Sequence, residues 1–277
     1  MMLASRHVAD APTGDLAVIR DMACPGPAGD IPLRLYDAQA ARAEPRPLVV
    51  FYHGGGFVFG DLDTHEPFCA EIARLLDMPV LSVDYRLAPE HPWPSAPEDC
   101  IAAARWAADE CGLGGTGLVL AGDSAGGNLA IVAAMALRDE PASLPVKAIW
   151  PIYPAADPVK GYPSFTDFGE GYLLSRDAMH WFDQCYAPDR KDWRYAPLLK
   201  SQKGMPPAMV VTASLDPIRD QGRAYAAALA EVGVPTIFYE AEGNIHGFIN
   251  LRKAIPSSDS DIAACVAGLR FLIGLKA

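Results

Sequence analysis

The residues of this chain that could do chemistry begin with a serine between glycines, Gly-Asp-Ser-Ala-Gly at residues 122–126. A short apolar run typical of a β-strand precedes it, and a helix-forming run follows it. Glycines at both flanks permit a tight strand-to-helix turn that exposes the Ser124 hydroxyl, and the helix N-terminus then points at the reacting centre. We predict that Ser124 is a nucleophile. The alternative is a glycine-rich turn without chemistry.

A second glycine-rich segment, His-Gly-Gly-Gly at residues 53–56, follows another strand-like run. Three glycines allow a loop to expose backbone N–H groups, and such donors stabilise the oxyanion of acyl transfer. A flexible loop and a phosphate-binding turn are the alternatives, but neither common phosphate-binding glycine motif is present. The pair of motifs, in this order, is typical of lipases and esterases.

A serine hydroxyl needs a general base, and an acidic residue must orient that base. Among six histidines, His246 directly follows the last predicted strand, where sheets of this class place their sites, and we predict it as the base. Asp216 follows the preceding strand and fits the chain order serine, acid, histidine, while Asp157 and Asp220 remain alternatives. The other histidines are assigned elsewhere: His53 to the glycine loop, His91 to a proline-rich turn, His180 to an insertion, and His7 and His65 to surface segments.

The elements that position these residues alternate between short apolar runs and helical stretches, which predicts an α/β fold with a mostly parallel, eight-stranded sheet between helices. With the serine motif at a strand-to-helix turn, this arrangement is typical of the α/β-hydrolase fold. The strands are predicted at residues 16–22, 31–37, 48–52, 80–84, 118–121, 148–153, 209–213 and 236–240. Helices are predicted at residues 96–110, 129–138, 218–232 and 261–275. Ser95 and Glu98 form a predicted capping box at the first of these helices.

One segment, residues 157–201, interrupts the alternation and is too long for a simple crossover. We expect it to fold over the sheet as a small cap, with a helix at residues 176–186. Four side chains share one face of this helix: Ala178, Trp181, Phe182 and Cys185. We predict that Trp181, Phe182 and Cys185 bind substrate together with Phe57, and the alternative is that this face only packs onto the body.

The overall composition excludes several classes of protein. The chain has 277 residues, a length that suits one α/β domain, and a net charge of −11 that disfavours nucleic acid and anionic lipid as partners. It has no apolar run of about 18 residues or more and no predicted signal peptide. Its six cysteines lack metal-ligand spacing, so we expect no metal, no cofactor and reduced thiols in the cytoplasm.

Taken together, these motifs resemble the bacterial hormone-sensitive lipase family of esterases from about Cys24 to the end of the chain. The resemblance also rests on residues 84–90 (Asp-Tyr-Arg-Leu-Ala-Pro-Glu), 216–217 and 246–248. It implies a triad of Ser124, Asp216 and His246, and an oxyanion hole of backbone N–H groups from Gly55, Gly56 and Ala125. It also implies that residues 157–201 form part of a cap. We expect Arg86, with Asp84 and Glu90 nearby, to fix a buried loop.

The predicted reaction is hydrolysis of small, short-acyl carboxylic esters through an acyl-enzyme on Ser124. An amidase, formamidase or lactonase would use the same triad, and a non-catalytic small-molecule binder is a further alternative. The chain departs from the family at Asn244, where a methionine or leucine is usual. Its N-terminal segment, residues 1–15, is also short, so we expect half of the cap to be missing, an open entrance and a possible homodimer.

Overall fold

The computed structural model describes residues 10–113 and 115–275, and its eight strands pair into one sheet. The strands are β1 (Val18–Gly26), β2 (Gly29–Asp37), β3 (Leu48–Tyr52), β4 (Val80–Val83), β5 (Leu118–Asp123), β6 (Val146–Ile152), β7 (Ala208–Leu215) and β8 (Thr236–Ile245). Their order is β1-β2-β4-β3-β5-β6-β7-β8. β2 runs antiparallel to both of its neighbours, β1 and β4, and every other pair of neighbouring strands is parallel. The carboxyl ends of β3 and β5 to β8 therefore meet at one edge of the sheet.

Helices cover both faces of this sheet and pack into two apolar clusters. The helices are α1 (Glu66–Leu76), α2 (Ser95–Asp109), α3 (Ala125–Asp139), α4 (Pro163–Asp167), α5 (Arg176–Tyr186), α6 (Arg219–Glu231) and α7 (Ser257–Leu272). Residues of α2, α3 and α6 belong to the cluster on one face, and those of α1 and α7 to the cluster on the other. Every residue of β3 is buried, as expected for a central strand covered on both sides. The predicted fold class is confirmed.

The predicted capping box at the start of α2 is wrong. Ser95 is the first residue of the helix, and Pro94 takes the N-cap position without a side-chain cap. The backbone N–H of Glu98 donates to the Pro94 carbonyl at 3.2 Å, so helical bonding begins one residue earlier than predicted. The Ser95 side chain therefore cannot cap the helix to which its own backbone belongs.

The loop at residues 84–90 is also fixed differently from the expectation. Arg86 forms a bidentate ion pair with Asp99 of α2, at 2.8 and 2.7 Å, and does not pair with Asp84 or Glu90. Asp99 is buried one turn into the helix, and its carboxylate also accepts the Arg86 backbone N–H. The loop is thereby attached to α2.

The described part of the N-terminal segment, residues 10–15, forms no helix and lies against the body. Asp10 makes a buried ion pair with Arg252, at 2.7 Å, just beyond the last strand. Thr13 donates to Glu66 at the start of α1. The expectation for residues 1–15 concerns residues 1–9 as well, and these lie outside the described residues. No helix within the described ranges is long and apolar enough to cross a membrane.

Candidate active site

Ser124 stands at the sharp turn between β5 and α3, in a strained backbone conformation with φ 55° and ψ −117°. Its N–H donates to the Ile152 carbonyl at 2.9 Å, and its carbonyl accepts the N–H groups of Asn128 and Ala155. A Cβ atom at Gly126 would collide with the carbonyl oxygen of Tyr52, so only glycine allows α3 to approach β3 this closely. These contacts hold the serine in place while its side chain stays partly exposed.

The predicted base lies within hydrogen-bond distance of both the predicted acid and the serine. His246 Nε2 is 2.8 Å from Ser124 Oγ, and His246 Nδ1 is 2.7 Å from Asp216 Oδ2. Asp216 is fully buried, and its other oxygen accepts the N–H of Ile218 at 2.9 Å. If Nδ1–H donates to Asp216, Nε2 is free to accept the hydroxyl proton. The tilted ring of Tyr153, 4.6 Å away, packs against the imidazole.

Both rival carboxylates have other partners. Asp157 accepts the hydroxyl of Tyr162 at 2.6 Å. Asp220 pairs with Arg219 at 2.9 Å and accepts the N–H of Ser164. Asp216 is thus the carboxylate that contacts His246.

The glycine loop follows β3 and runs beside the Ser124 turn. Gly55 and Gly56 have φ of 124° and 63°, values that strongly favour glycine. A Cβ atom at Gly55 would collide with the Phe59 carbonyl, and one at Gly56 would lie 2.5 Å from the ring of Phe182. Within the described residues, the N–H groups of Gly55, Gly56 and Ala125 have no hydrogen-bond acceptor. These groups can therefore bind an external oxyanion.

His53 supports this loop from inside the protein. Its ring is fully buried, stacks on Tyr85 at 4.3 Å and lies 2.8 Å from the Gly54 carbonyl through Nδ1. Burial, reinforced by the nearby His65, lowers the pKa of His53 to about 4. The ring is therefore neutral at pH 7, and Nδ1–H donates to Gly54.

The surface assignment of His65 is wrong. His65 is buried directly before α1, and its Nε2 lies 3.1 Å from Asp123, the residue before the nucleophile. Helix α1 was not predicted, so nothing in the local sequence directed this ring inwards. No role was predicted for Asp123. The sequence did hold signals for α1: Pro67 near the helix start, Glu66 in the first turn, Arg74 in the last turn and an amphipathic period.

The cap helix α5 has the predicted bounds and contacts the glycine loop through aromatic rings. Phe182 lies over Gly56 and meets Phe59 edge-on at 5.3 Å. Phe57 is 6% exposed because its ring stacks on Tyr186 at 4.0 Å, so its assignment to substrate binding stays a prediction. Trp181 is 50% exposed on the outer side of α5, whereas Cys185 is partly buried.

Known proteins resemble this chain in sequence and in fold. A model of the alpha/beta hydrolase fold family matches residues 49–250. The chain is 41% identical to the carboxylic ester hydrolase LipN of Mycobacterium tuberculosis, over 91% of this chain and 70% of LipN. It is 36% identical to an ethyl acetate hydrolase of Pseudomonas putida, over 87% of this chain and 78% of that one.

A solved structure gives the same result. The ester hydrolase EH1AB1 from the metagenome of Lake Arreo, in complex with a bipyridine phosphonate derivative, matches with a TM-score of 0.90 and 39% identity. The match covers 98% of this chain and 88% of that chain. The chain therefore belongs to the alpha/beta-hydrolase fold family and, within it, to the esterases of the bacterial hormone-sensitive lipase type.

Proposed function

We propose that this carboxylic ester hydrolase cleaves small, short-acyl esters through an acyl-enzyme on Ser124, with His246 as general base and Asp216 as the acid that orients it. One observation carries the proposal: a single imidazole lies 2.8 Å from Ser124 Oγ and 2.7 Å from Asp216 Oδ2. This geometry allows a serine hydroxyl to lose its proton as it attacks a carbonyl.

In the first half of the reaction, Ser124 Oγ attacks the ester carbonyl while His246 Nε2 takes the hydroxyl proton. The carbonyl oxygen becomes an oxyanion, which the N–H groups of Gly55, Gly56 and Ala125 bind. Asp216 stabilises the imidazolium that forms. When the tetrahedral intermediate collapses, the bond to the alcohol oxygen breaks, and His246 gives that oxygen the proton.

In the second half, water replaces the alcohol. His246 takes a proton from the water, the hydroxide oxygen attacks the acyl carbon, and the same N–H groups bind the second oxyanion. Collapse of this intermediate breaks the bond to Ser124 Oγ, which receives the proton from His246. The products are one carboxylic acid and one alcohol, and the enzyme returns to its starting state.

The size of the substrate is supported by a relative and by the cap. The Pseudomonas putida relative is named for ethyl acetate, an ester with a two-carbon acyl group. In this chain Phe182 lies directly over Gly56, so bulky groups have little room above the glycine loop. Amides, formyl amides and lactones would use the same triad and belong in the same assay.

The test is turnover of chromogenic esters with acyl chains from two to twelve carbons, alongside matched amides and a lactone. We expect the shorter esters to react fastest. Ser124→Ala should lower turnover by roughly 10⁶-fold, and an organophosphate should label the native protein but not this variant. Faster turnover of an amide or lactone than of every ester would replace the proposed substrate class, and an active Ser124→Ala protein would remove the nucleophile.

We also propose a cytoplasmic location and a homodimer. The location is supported by five cysteines that form no disulfide within the described residues, Cys24, Cys69, Cys100, Cys185 and Cys265. Fractionation of the source cells would test it. The dimer is supported by three large apolar side chains exposed on the cap, Leu173, Trp181 and Leu199. Sedimentation of the purified protein would test it, and a monomer at all concentrations would refute it.

A further inference from the structure

A buried carboxylate that the proposed reaction does not use lies beneath the glycine loop. Asp123 ends β5 and is 4% exposed. Its Oδ1 accepts the backbone N–H of Gly54 at 2.7 Å and lies 3.1 Å from His65 Nε2. Its Oδ2 accepts the hydroxyl of Tyr153 at 3.4 Å. One side chain thus contacts the glycine loop, the residue before α1 and the end of β6.

His65 extends these contacts to the segment that carries the base. The Thr64 hydroxyl lies 3.1 Å from His65 Nδ1. A carboxylate oxygen can only accept, so the N–H at His65 Nε2 donates to Asp123 at 3.1 Å. Asn250, in the 3-10 turn that follows His246, lies against the same edge of the ring, with its amide nitrogen 3.0 Å from Nε2.

The charge of Asp123 is stabilised in place. Burial alone acts to raise the pKa of this carboxyl, but His65 and the Gly54 N–H outweigh it, and the pKa lies below its ordinary value. Asp123 is therefore ionised at neutral pH. A charged acceptor forms stronger and shorter hydrogen bonds than a neutral one, which fits the 2.7 Å contact with Gly54.

The position of this contact connects two parts of the site. Gly54 directly precedes the N–H donors of Gly55 and Gly56, and a Cβ atom at Gly54 would collide with the Asp123 carboxylate. Asp123 is also joined by one peptide bond to Ser124. The Asp123 side chain, through the hydrogen bond it accepts from Gly54, therefore helps to set the distance between the donors and the nucleophile.

We propose that Asp123 and His65 are positioning residues for ester hydrolysis, which hold the oxyanion-binding loop at a fixed distance from Ser124. This inference rests on the proposed function, because it takes Ser124 as the nucleophile and residues 55–56 as oxyanion donors. If the two residues only stabilised the fold, their loss would lower the amount or stability of folded enzyme. A positioning role instead lowers the rate of each correctly folded active site.

The first experiment compares Asp123→Ala with Asp123→Asn. Turnover of a short aryl ester is measured per active site, with the sites counted by burst labelling with an organophosphate. Asp123→Ala leaves Gly54 without its acceptor, so we expect kcat to fall by roughly 10²-fold, as for loss of an oxyanion donor, with KM unchanged. Asn retains an oxygen acceptor without the charge, so its loss should be smaller.

His65 supplies a second pair of variants. Gln can present an N–H near the position of Nε2, whereas Ala cannot. We therefore expect His65→Gln to retain most of the kcat that His65→Ala loses. The double variant Asp123→Ala, His65→Ala should be no slower than Asp123→Ala alone, because both residues act through one contact. Full additivity of the two losses would contradict the proposal.

A transition-state analogue separates positioning from simple loss of fold. A trifluoromethyl ketone adds to Ser124 as an oxyanion, so its affinity should fall in Asp123→Ala by the same factor as kcat/KM. Asp37→Asn is the matched control, since Asp37 is also a buried, ion-paired carboxylate but ends β2 at the opposite edge of the sheet. It should lower Tm and leave kcat per site unchanged.

These experiments distinguish a failure of the proposed function from a failure of the positioning role. If native protein neither reacts with the organophosphate nor hydrolyses esters, the proposed function fails. If the native protein does both, and Asp123→Asn and His65→Ala keep the native kcat per labelled site and the native ketone affinity, only the positioning role is overturned. This second comparison decides the matter even if Asp123→Ala does not fold.

Discussion

The Ser124 turn and the cap are fixed in different ways. Around Ser124 the backbone is held by contacts that exclude side chains, such as Gly126 against the Tyr52 carbonyl. The cap meets the body through side chains, such as Phe182 over Gly56, and leaves Trp181 half exposed and Leu173 64% exposed. We therefore expect chemistry in this fold to depend on backbone positions that tolerate little change, and substrate choice to depend on side chains that can be exchanged.

The largest effects should follow changes to the triad itself. We expect His246→Ala to lower kcat by up to roughly 10⁶-fold and Asp216→Asn by roughly 10⁴-fold, because the imidazole loses its proton-accepting role or its orientation. Asp157→Asn and Asp220→Asn are the controls, since both carboxylates have other partners. Steady-state kinetics of the four purified variants test this, and a crippled Asp220→Asn beside an active Asp216→Asn would reverse the assignment of the acid.

A matched pair of glycine substitutions tests the comparison directly. Gly56→Val should lower kcat by roughly 10²–10³-fold, because the φ of 63° and the Phe182 ring both oppose a side chain and the loop must move its donors. Gly161→Val lies in the cap, where an added Cβ meets nothing within 4 Å, and should leave kcat unchanged. Equal rates for the two variants would remove the distinction between the two regions.

Burial of His53 beneath the glycine loop should also make the stability of the protein depend on pH. His53 has its pKa lowered to about 4 by burial, so only the unfolded chain gains this proton between pH 7 and pH 5. The unfolded state then binds more protons, and stability falls as the pH falls. From an unfolded value of about 6.5, the loss by pH 5 is roughly 2 kcal/mol, or about 30-fold in the folding equilibrium.

Urea unfolding at pH 7 and pH 5 measures this effect. His53→Asn keeps an N–H donor for the Gly54 carbonyl but has no titrating ring, so its stability should change less between the two pH values. His180→Asn, at an exposed position of the cap, should show the native pH dependence. An identical response of all three proteins would refute the role assigned to buried His53.

The smallest effects should come from the cap. Phe182→Ala removes the ring over Gly56, and we expect acceptance of longer acyl chains to improve by about 10-fold relative to acetate. Trp181→Ala should shift the preference less, since half of its side chain already faces solvent. His180→Ala on the outer side of α5 is the control. Competition assays with mixed esters give the ratios, and an unchanged ratio in Phe182→Ala would mean that this ring only packs the cap.

Features of this structure could be predicted where the sequence signal lies within one short segment, and not where it depends on contacts between distant segments. The bounds of β3 and α5 were correct because an apolar run and an amphipathic period are local patterns. The serine motif and the glycine loop were also local, and the structure brings Ser124, Asp216 and His246 into contact as their order suggested. Buried His65 was missed because its partner, Asp123, lies on a distant strand.

The cap illustrates the same limit. The helical period placed Ala178, Trp181, Phe182 and Cys185 on one face, but the side chains that turn towards the body also include Met179 and Tyr186. A helical period predicts which residues share one face of the helix. It does not predict which way tertiary packing orients that face. Trp181 therefore lies further out than its spacing with Phe182 suggested, and its contact with substrate stays a prediction.

The strained conformation of Ser124 has a consequence for laboratory evolution. A non-glycine residue at φ 55° and ψ −117° costs about 1–3 kcal/mol, which glycine at the same position would relieve. A library of variants ranked only by Tm would therefore favour Ser124→Gly, which unfolds at a higher temperature but lacks the nucleophile. A screen for a more thermostable form of this enzyme must also select for turnover in every round, because at Ser124 thermal stability and catalysis oppose each other.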